Sequence, residues 1–381
     1  MRLSPIMGRM IIGIDASRAL VARRTGAERY SLELINALLA LNPDHAIRLY
    51  VPRQPPIGLF RDHAEIVILP GRRLWTHSKL GPHTWRHPPD VLFVPSHVLP
   101  LIGPKRMVVT VHDLGYEYVP DAHPANERRY LRWSTKRHAR IATRIIADSH
   151  ATKQDLIDLY GADPGRIRVV HLAPDPELKP VRDPIKLSLT LAQFGIPGYA
   201  KFLLHVGAMR PRKNLDRLIE AFAIVRQRRP EQRLHLMLAG SLASEGYKLR
   251  EKAKAMGLLE FIRFPGFILP HQIAAIYSAA AAYVLPSLFE GFGLPALEAQ
   301  ACETPLVCSR GSSLPEIAGE GAVYFDPLSV EEMADAIERV LVDQDLRAEL
   351  IAKGRENLKR FSWEKSARET LAVLEEAARG V

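Results

Sequence analysis

Cysteine is almost missing from this chain. Cys302 and Cys308 are the two among 381 residues, too few for a disulfide framework or a four-thiolate metal centre, and both read as core residues. No stretch approaches the roughly 18 apolar residues of a membrane-spanning helix, which excludes a helical integral membrane protein. The opening MRLSPIMGRMIIGIDAS carries two arginines but no apolar run of signal-peptide length, so no export is expected and a cytoplasmic, reducing setting follows. Neither a short-period repeat nor a low-complexity segment occurs. What remains is 47% hydrophobic and 25% charged residues, the composition of an ordinary globular protein. At this length two domains are expected.

Acidic residues run short in one half only. Residues 1–180 hold 26 Lys and Arg against 17 Asp and Glu, and residues 181–381 hold 26 against 25, so nearly all of the formal net charge of +10 sits in the first half. The asymmetry points to two domains with different partners, the first meeting something anionic: nucleic acid, an acidic membrane surface or a phosphorylated substrate. A generally arginine-rich surface gives the same balance.

Short apolar runs alternate with helical patterns along the chain. Strands are predicted at 10–14, 47–51, 66–69, 91–94, 107–111 and 144–147, with a first helix over 28–41 in which Leu32, Ile35, Leu38 and Leu39 recur at helical spacing. Pro-rich residues 176–198 read as a linker. Strands at 202–206, 234–239, 261–264, 282–285, 305–308 and 322–325 then alternate with helices at 215–228, 247–256, 272–278 and 296–301, and terminal helices follow at 330–342, 345–361 and 363–378. Continuous apolar strands fit parallel sheets covered on both faces. The expectation is two doubly wound, Rossmann-like α/β domains, residues 1–175 and 199–362, facing across a cleft beyond the carboxyl ends of their strands. The terminal helix 363–381 is expected to return to the first domain.

The most informative stretch is LPSLFEGFGLPALEA, residues 285–299. Gly291 and Gly293 permit a tight turn and close backbone approach, and Pro295 suits the start of a helix. The N–H groups of Phe292, Gly293 and Leu294 then lie at a helix N-terminus, where a phosphate is stabilised. Glu290 precedes the loop and Glu298 sits one turn into the helix; both can line one pocket and accept hydrogen bonds from sugar hydroxyls. A glycine loop with a capping glutamate would look the same.

Two glutamates eight positions apart around GFGLP, followed by Glu303-Thr-Pro-Leu-Val and Ser313-Leu-Pro-Glu316, resemble the signature of family-4 retaining glycosyltransferases of the GT-B fold. The resemblance implies that Glu290 lies by the donor sugar, that Glu298 binds the nucleotide ribose, and that the backbone of Phe292, Gly293 and Leu294 holds the diphosphate. The turn Gly207-Ala-Met-Arg210-Pro-Arg212-Lys213-Asn214 resembles the family's donor-phosphate motif. Its cations suit a diphosphate, Arg bidentately, and Asn214 is a candidate helix N-cap. Many members carry Arg directly after the glycine; here that place is Ala208, and Arg212 or else Arg210 supplies the charge. In the first domain, Thr25-Gly26 with Arg29 and Tyr30 resembles the loop whose glycine backbone approaches the donor in mannosyltransferase-like members. His112, after strand 107–111, stands where the family keeps a histidine near the sugar's reacting centre. Asp113 is a candidate to orient it or to cap a turn, and Ser149 reads as a helix cap.

The resemblance implies a hexose transferred with retention from a nucleoside diphosphate sugar, GDP-mannose or else a UDP-hexose, to a saccharide or lipid-linked acceptor in cell-surface polysaccharide or glycolipid synthesis. Catalysis would rest on His112, Glu290, Lys213 and Arg212, and donor binding on Gly26, Gly207, Arg210, Phe292, Gly293, Leu294 and Glu298. No cofactor and no essential metal are implied, because cations and a helix N-terminus can offset the leaving group's charge. Other readings lack their marks. No G-x-G-x-x-G follows the first strand, as a nicotinamide dehydrogenase requires; no pyridoxal-lysine signature, nucleophile elbow or nucleic-acid recognition motif is found. A nucleotide-sugar epimerase of the same fold stays open. His83 and His87 sit among Pro82, Pro88 and Pro89, which argue against a helix and a metal site; Asp343-Gln-Asp345 reads as a helix cap. Finally, Arg129, Arg132, Lys136 and Arg140 recur at three- and four-residue steps of a predicted helix, with Leu131, Trp133 and His138 pointing elsewhere. This stripe suits a lipid-linked diphosphate or an anionic membrane, and equally a solvated face.

Overall fold

The computed structural model describes residues 9–22, 26–96, 98–197 and 200–380. They form two compact units: one of residues up to Leu114, Asn126–Leu172 and Ser362 onward, the other of Gly115–Ala125 and Ala173–Phe361.

The first unit is a seven-stranded sheet of β1 (Ile11–Asp15), β2 (Ala46–Val51), β3 (Ala64–Ile68), β4 (Val91–Val94), β5 (Met107–Val111), β6 (Arg144–Ala147) and β7 (Ile167–Val169). Its order is β3-β2-β1-β4-β5-β6-β7, and every pairing is parallel. β4 and β5 are buried at every residue, as strands covered on both faces must be. β7 was not expected: its three residues, Ile167-Arg-Val169, are too short and too broken by charge to show a pattern. The helix Trp363–Arg379 packs on Gly26–Ala40 in this unit. Trp363 lies 6.2 Å from the Tyr30 ring, Ser366 donates to the His171 carbonyl at 2.5 Å, and Arg168 pairs with Glu376 at 2.5 Å.

The second unit is a six-stranded sheet of β8 (Phe202–Val206), β9 (His235–Ala239), β10 (Ile262–Gly266), β11 (Ala282–Leu285), β12 (Leu306–Ser309) and β13 (Ala322–Phe325), ordered β10-β9-β8-β11-β12-β13 and again parallel throughout. Alternate residues feed two cores. Leu203, Leu236, Leu238, Val284 and Val307 meet Leu218, Phe222 and Ile337 on one face. Phe202, Leu204, Met237, Tyr283 and Leu306 meet Ile276, Tyr277 and Ala296 on the other. Cys302 and Cys308 are buried in the second core, where burial pushes the Cys302 thiol up to about 12 and that of Cys308 higher still; both are inert.

Three expectations are corrected. Residues 176–198 are not a bare linker: they carry the helix Pro184–Gln193, capped by Asp183 through the N–H groups of Ile185 and Lys186, and Leu191 and Ile196 enter the core. Pro184 opens the helix, where its missing N–H costs nothing. Likewise Pro82 lies in the first turn of a helix, Gly81–Arg86, so proline there starts a helix rather than excluding one. The segment Gly115–Ala125 belongs to the second unit, where Tyr118 stacks on Phe289 with ring centroids 4.7 Å apart. Ser149 and Asp343 cap their helices as expected, accepting from the N–H groups of Thr152 and Leu346. No described helix is long and apolar enough to cross a membrane.

Candidate active site

In the second unit the turn after β8 and the loop after β11 meet in one charged cluster. Glu290 is 6% exposed. Its Oε1 receives Lys213 and, at 2.6 Å, the hydroxyl of Ser287; its Oε2 receives Arg212 at 2.9 Å. Arg212 also donates to the Phe289 carbonyl at 3.1 Å, and Leu288 N–H returns a bond to the Arg212 carbonyl at 2.8 Å. Burial alone would drive the Glu290 carboxyl up, but Lys213 and then Arg212 outweigh it and hold the group well below the carboxylate range. A single buried carboxylate thus keeps two cations charged and in register. Both of its oxygens are engaged, which the resemblance alone did not imply.

Of the two arginines left open by the sequence, Arg212 enters this cluster, while Arg210 is exposed. Asn214 does occupy the position before the helix Leu215–Arg228, but it does not cap it. Its backbone is left-handed at φ 56°, which turns the side chain inward to donate to the carbonyls of Pro286 and Pro327 at 3.0 and 2.7 Å. The side chain therefore staples the loops after β11 and β13 to the basic turn.

Gly293 has φ +100°, and a Cβ there would stand 2.6 Å from Leu314, so the turn and its packing both require glycine. It precedes the helix Leu294–Ala301, with Pro295 in the first turn. Ser313 fixes the loop by donating to the carbonyls of Glu290 and Phe292 at 2.8 and 2.9 Å. Gly240, not singled out from the sequence, carries the basic turn: at φ +137° its Cβ would lie 1.8 Å from the Gly207 carbonyl. Beneath Gly207, His205 is fully buried, with Nδ1 3.0 Å from the Val284 carbonyl. Burial, then Lys213, lowers its pKa to about 4, so the ring is neutral and adds no charge. Glu298 lies further along the same helix, half-buried, and accepts from Tyr277.

In the first unit, His112 follows β5 and Asp148 follows β6. The pairing Val111↔Ala147 sets the two side by side, and His112 Nδ1 lies 2.7 Å from Asp148 Oδ2. Asp148, 2% exposed, is therefore the residue that orients His112, in place of the sequence candidate Asp113. Tyr30 meets the imidazole edge-on at 4.8 Å and is itself tied to Thr110 at 3.0 Å. Burial opposes the imidazolium, but the Asp148 carboxylate outweighs it and raises the His112 pKa above 6.5. Burial also raises Asp148. Gly26 opens its helix exposed, and a Cβ there would meet nothing within 4 Å; no neighbour among the described residues demands glycine. Thr25 lies outside the described residues.

Arg129, Arg132, Lys136 and Arg140 are all exposed on the helix Ala125–Ile141. Trp133 does not point elsewhere: it is 47% exposed, four residues after Arg129 and three before Lys136, so it shares their face. Tyr130 lies beside it, ring centroids 5.8 Å apart. His138 is buried and accepts from Leu99 N–H at 3.2 Å. Among the described residues, no group of three or more His, Cys, Asp and Glu is placed to hold a metal ion.

Two parallel Rossmann-like sheets, with a basic turn and a glutamate–glycine loop beyond the strands of the second, define the GT-B class. The solved structure of sucrose-phosphate synthase from Thermosynechococcus elongatus superposes with a TM-score of 0.77 at 21% identity, covering 98% of this chain and 100% of that one. Residues 24–178 match the model of Glycosyltransferase Family 4, and residues 190–357 that of Glycosyl transferases group 1. The chain belongs to the family-4, group 1 glycosyltransferases of the GT-B fold. It is 28% identical over 377 residues to the O-antigen chain mannosyltransferase B of Escherichia coli, with 91% of this chain and 95% of that one covered. To the D-inositol 3-phosphate glycosyltransferase of Corynebacterium kroppenstedtii it is 30% identical over 245 residues, which is 62% of this chain and 54% of that protein.

Proposed function

We propose that the protein transfers mannose from GDP-mannose, with retention and without an essential metal, to a saccharide or lipid-linked acceptor in cell-surface polysaccharide or glycolipid synthesis on the cytoplasmic side. The observation that carries the reading is the Arg212–Lys213–Glu290 cluster beside the Gly293 turn. Two cations and a helix N-terminus suit the leaving diphosphate, and Glu290 keeps both cations poised. The likeness to a mannosyltransferase over nearly the whole chain supports mannose; a UDP-hexose is the alternative donor. In the reaction the sugar C1–O bond to the diphosphate breaks, and a C1–O bond to the acceptor forms on the same face. The acceptor's proton passes to the departing phosphate oxygen. His112, held by Asp148 through Nδ1 at 2.7 Å, is the catalytic histidine of this reading. Incubation with GDP-mannose, UDP-glucose and ADP-glucose tests the reading: GDP-mannose should be turned over fastest, at a rate unchanged in EDTA. Loss of activity in EDTA, restored by a divalent ion, would refute metal independence.

The exposed cations of the helix Ala125–Ile141, with Trp133 and Tyr130 among them, suit an anionic membrane surface bearing the acceptor. Each basic residue near such a surface contributes about 1 kcal/mol, and the aromatic rings fit the interface. The protein should co-sediment with phosphatidylglycerol vesicles at low salt. Changing Arg129, Arg132, Lys136 and Arg140 together to Gln should abolish this while donor hydrolysis persists; unchanged sedimentation removes the helix as the contact.

A further inference from the structure

We propose that Tyr277 is a positioning residue for the nucleotide half of the donor and acts through Glu298; the inference rests on the reading of Glu298 as the ribose-binding carboxylate. Tyr277 belongs to the helix Pro270–Ala279 and is fully buried. Its carbonyl accepts from Thr304 Oγ1 at 2.6 Å, and its ring is tilted against Tyr283 with centroids 5.1 Å apart. The hydroxyl lies beside that of Tyr283 and donates to Glu298 Oε2 at 3.1 Å. Burial, then Tyr283 and the Glu298 carboxylate, push its pKa well above 10, so the phenol remains a donor at every working pH.

A half-buried glutamate pays rotamer entropy when a ligand fixes it. Tyr277 fixes Oε2 beforehand with a charge-assisted bond and so holds the carboxylate in one orientation. The ring is anchored by the core, so it cannot follow the carboxylate if that swings.

The test is calorimetric. GDP, UDP and their 2′,3′-dideoxy forms are titrated into the wild-type protein, Tyr277→Phe and Tyr324→Phe. Tyr324 is the control: it is half-buried in the same unit, and its hydroxyl donates to the Gly319 carbonyl. Wild type should prefer the ribose form by about tenfold, the worth of one hydrogen bond to a charged group. Tyr277→Phe should reduce that preference to about threefold or less and raise the donor KM, with kcat and Tm nearly unchanged. Tyr324→Phe should keep the full preference. In a Glu298→Gln background, Tyr277→Phe should change nothing further. A wild-type preference that survives intact in Tyr277→Phe overturns the role of Tyr277 while sparing that of Glu298, and so does an equal loss in both tyrosine variants. No preference in wild type removes the ribose reading of Glu298 itself. Should Tyr277→Phe not fold, the Tyr277 hydroxyl proton is followed by NMR in the wild-type protein: it should shift on adding GDP and not its dideoxy form, and an equal response to both overturns the role.

Discussion

Lys213→Ala should lower turnover by about 100- to 1,000-fold and raise the donor KM far less. Charge on the diphosphate grows as the glycosidic bond breaks, so a cation at that point acts mainly on the transition state. The same substitution should cost stability. Glu290 loses its nearest counter-charge in a site that is 6% exposed, and breaking a buried pair from one side typically costs about 3–5 kcal/mol; Arg212, still bonded to Oε2 at 2.9 Å, keeps the loss towards the lower end. The sign with pH is fixed by Glu290. Its folded pKa is depressed below 4.5, so the stabilisation is complete above that value and is lost as pH falls towards the depressed one. Lys213→Ala should therefore flatten the acid side of the stability curve. Adding Glu290→Gln should recover part of the stability and none of the activity, which separates the two effects. Steady-state kinetics and urea melts from pH 3 to 8 check both; a large rise in KM with kcat intact would move Lys213 from transition-state stabilisation to simple binding.

Asp148→Asn should reduce turnover at pH 7.5 by about 100-fold, the scale of one misplaced hydrogen-bond donor at a reacting centre, and move the alkaline limb of the rate profile to lower pH. Asp148 holds the His112 pKa above 6.5, so the imidazolium persists to higher pH in wild type. The asparagine removes that charge. Stability carries the same sign: with His112 raised, the pair's contribution is full below pH 6.5 and is lost as pH climbs through the raised value. A rate profile with its alkaline limb unmoved would end the role of Asp148 as the residue that tunes His112.

Much of the fold was legible because fully buried parallel strands need continuous apolar runs. Val91–Val94, Met107–Val111, Phe202–Val206 and Ala282–Leu285 begin and end where the runs do. The helix Pro184–Gln193 was hidden because proline marks helix starts as well as breaks. Within the site, Glu290, Lys213 and Gly293 stood out by motif, but their partnership did not, since the separation of 77 positions between Lys213 and Glu290 is closed only by strand order. The same holds for Asp148. Its claim on His112 depends on β5 and β6 being neighbours in register, whereas Asp113 was merely next in sequence. Trp133 was misjudged for a local reason: its three- and four-residue spacing to the basic stripe was legible but not applied to it.

The most direct measurement is the thermal stability of the protein with GDP, UDP and ADP. A nucleoside diphosphate bound at the Arg212–Lys213–Glu290 cluster, supplied at 100 times its dissociation constant, should add about 2.7 kcal/mol to the stability, with GDP effective at the lowest concentration. Lys213→Ala should lose most of that shift at the same concentration. No stabilisation by any of the three at millimolar concentration, or the same shift in Lys213→Ala as in wild type, would contradict the assignment of this cluster as the donor site.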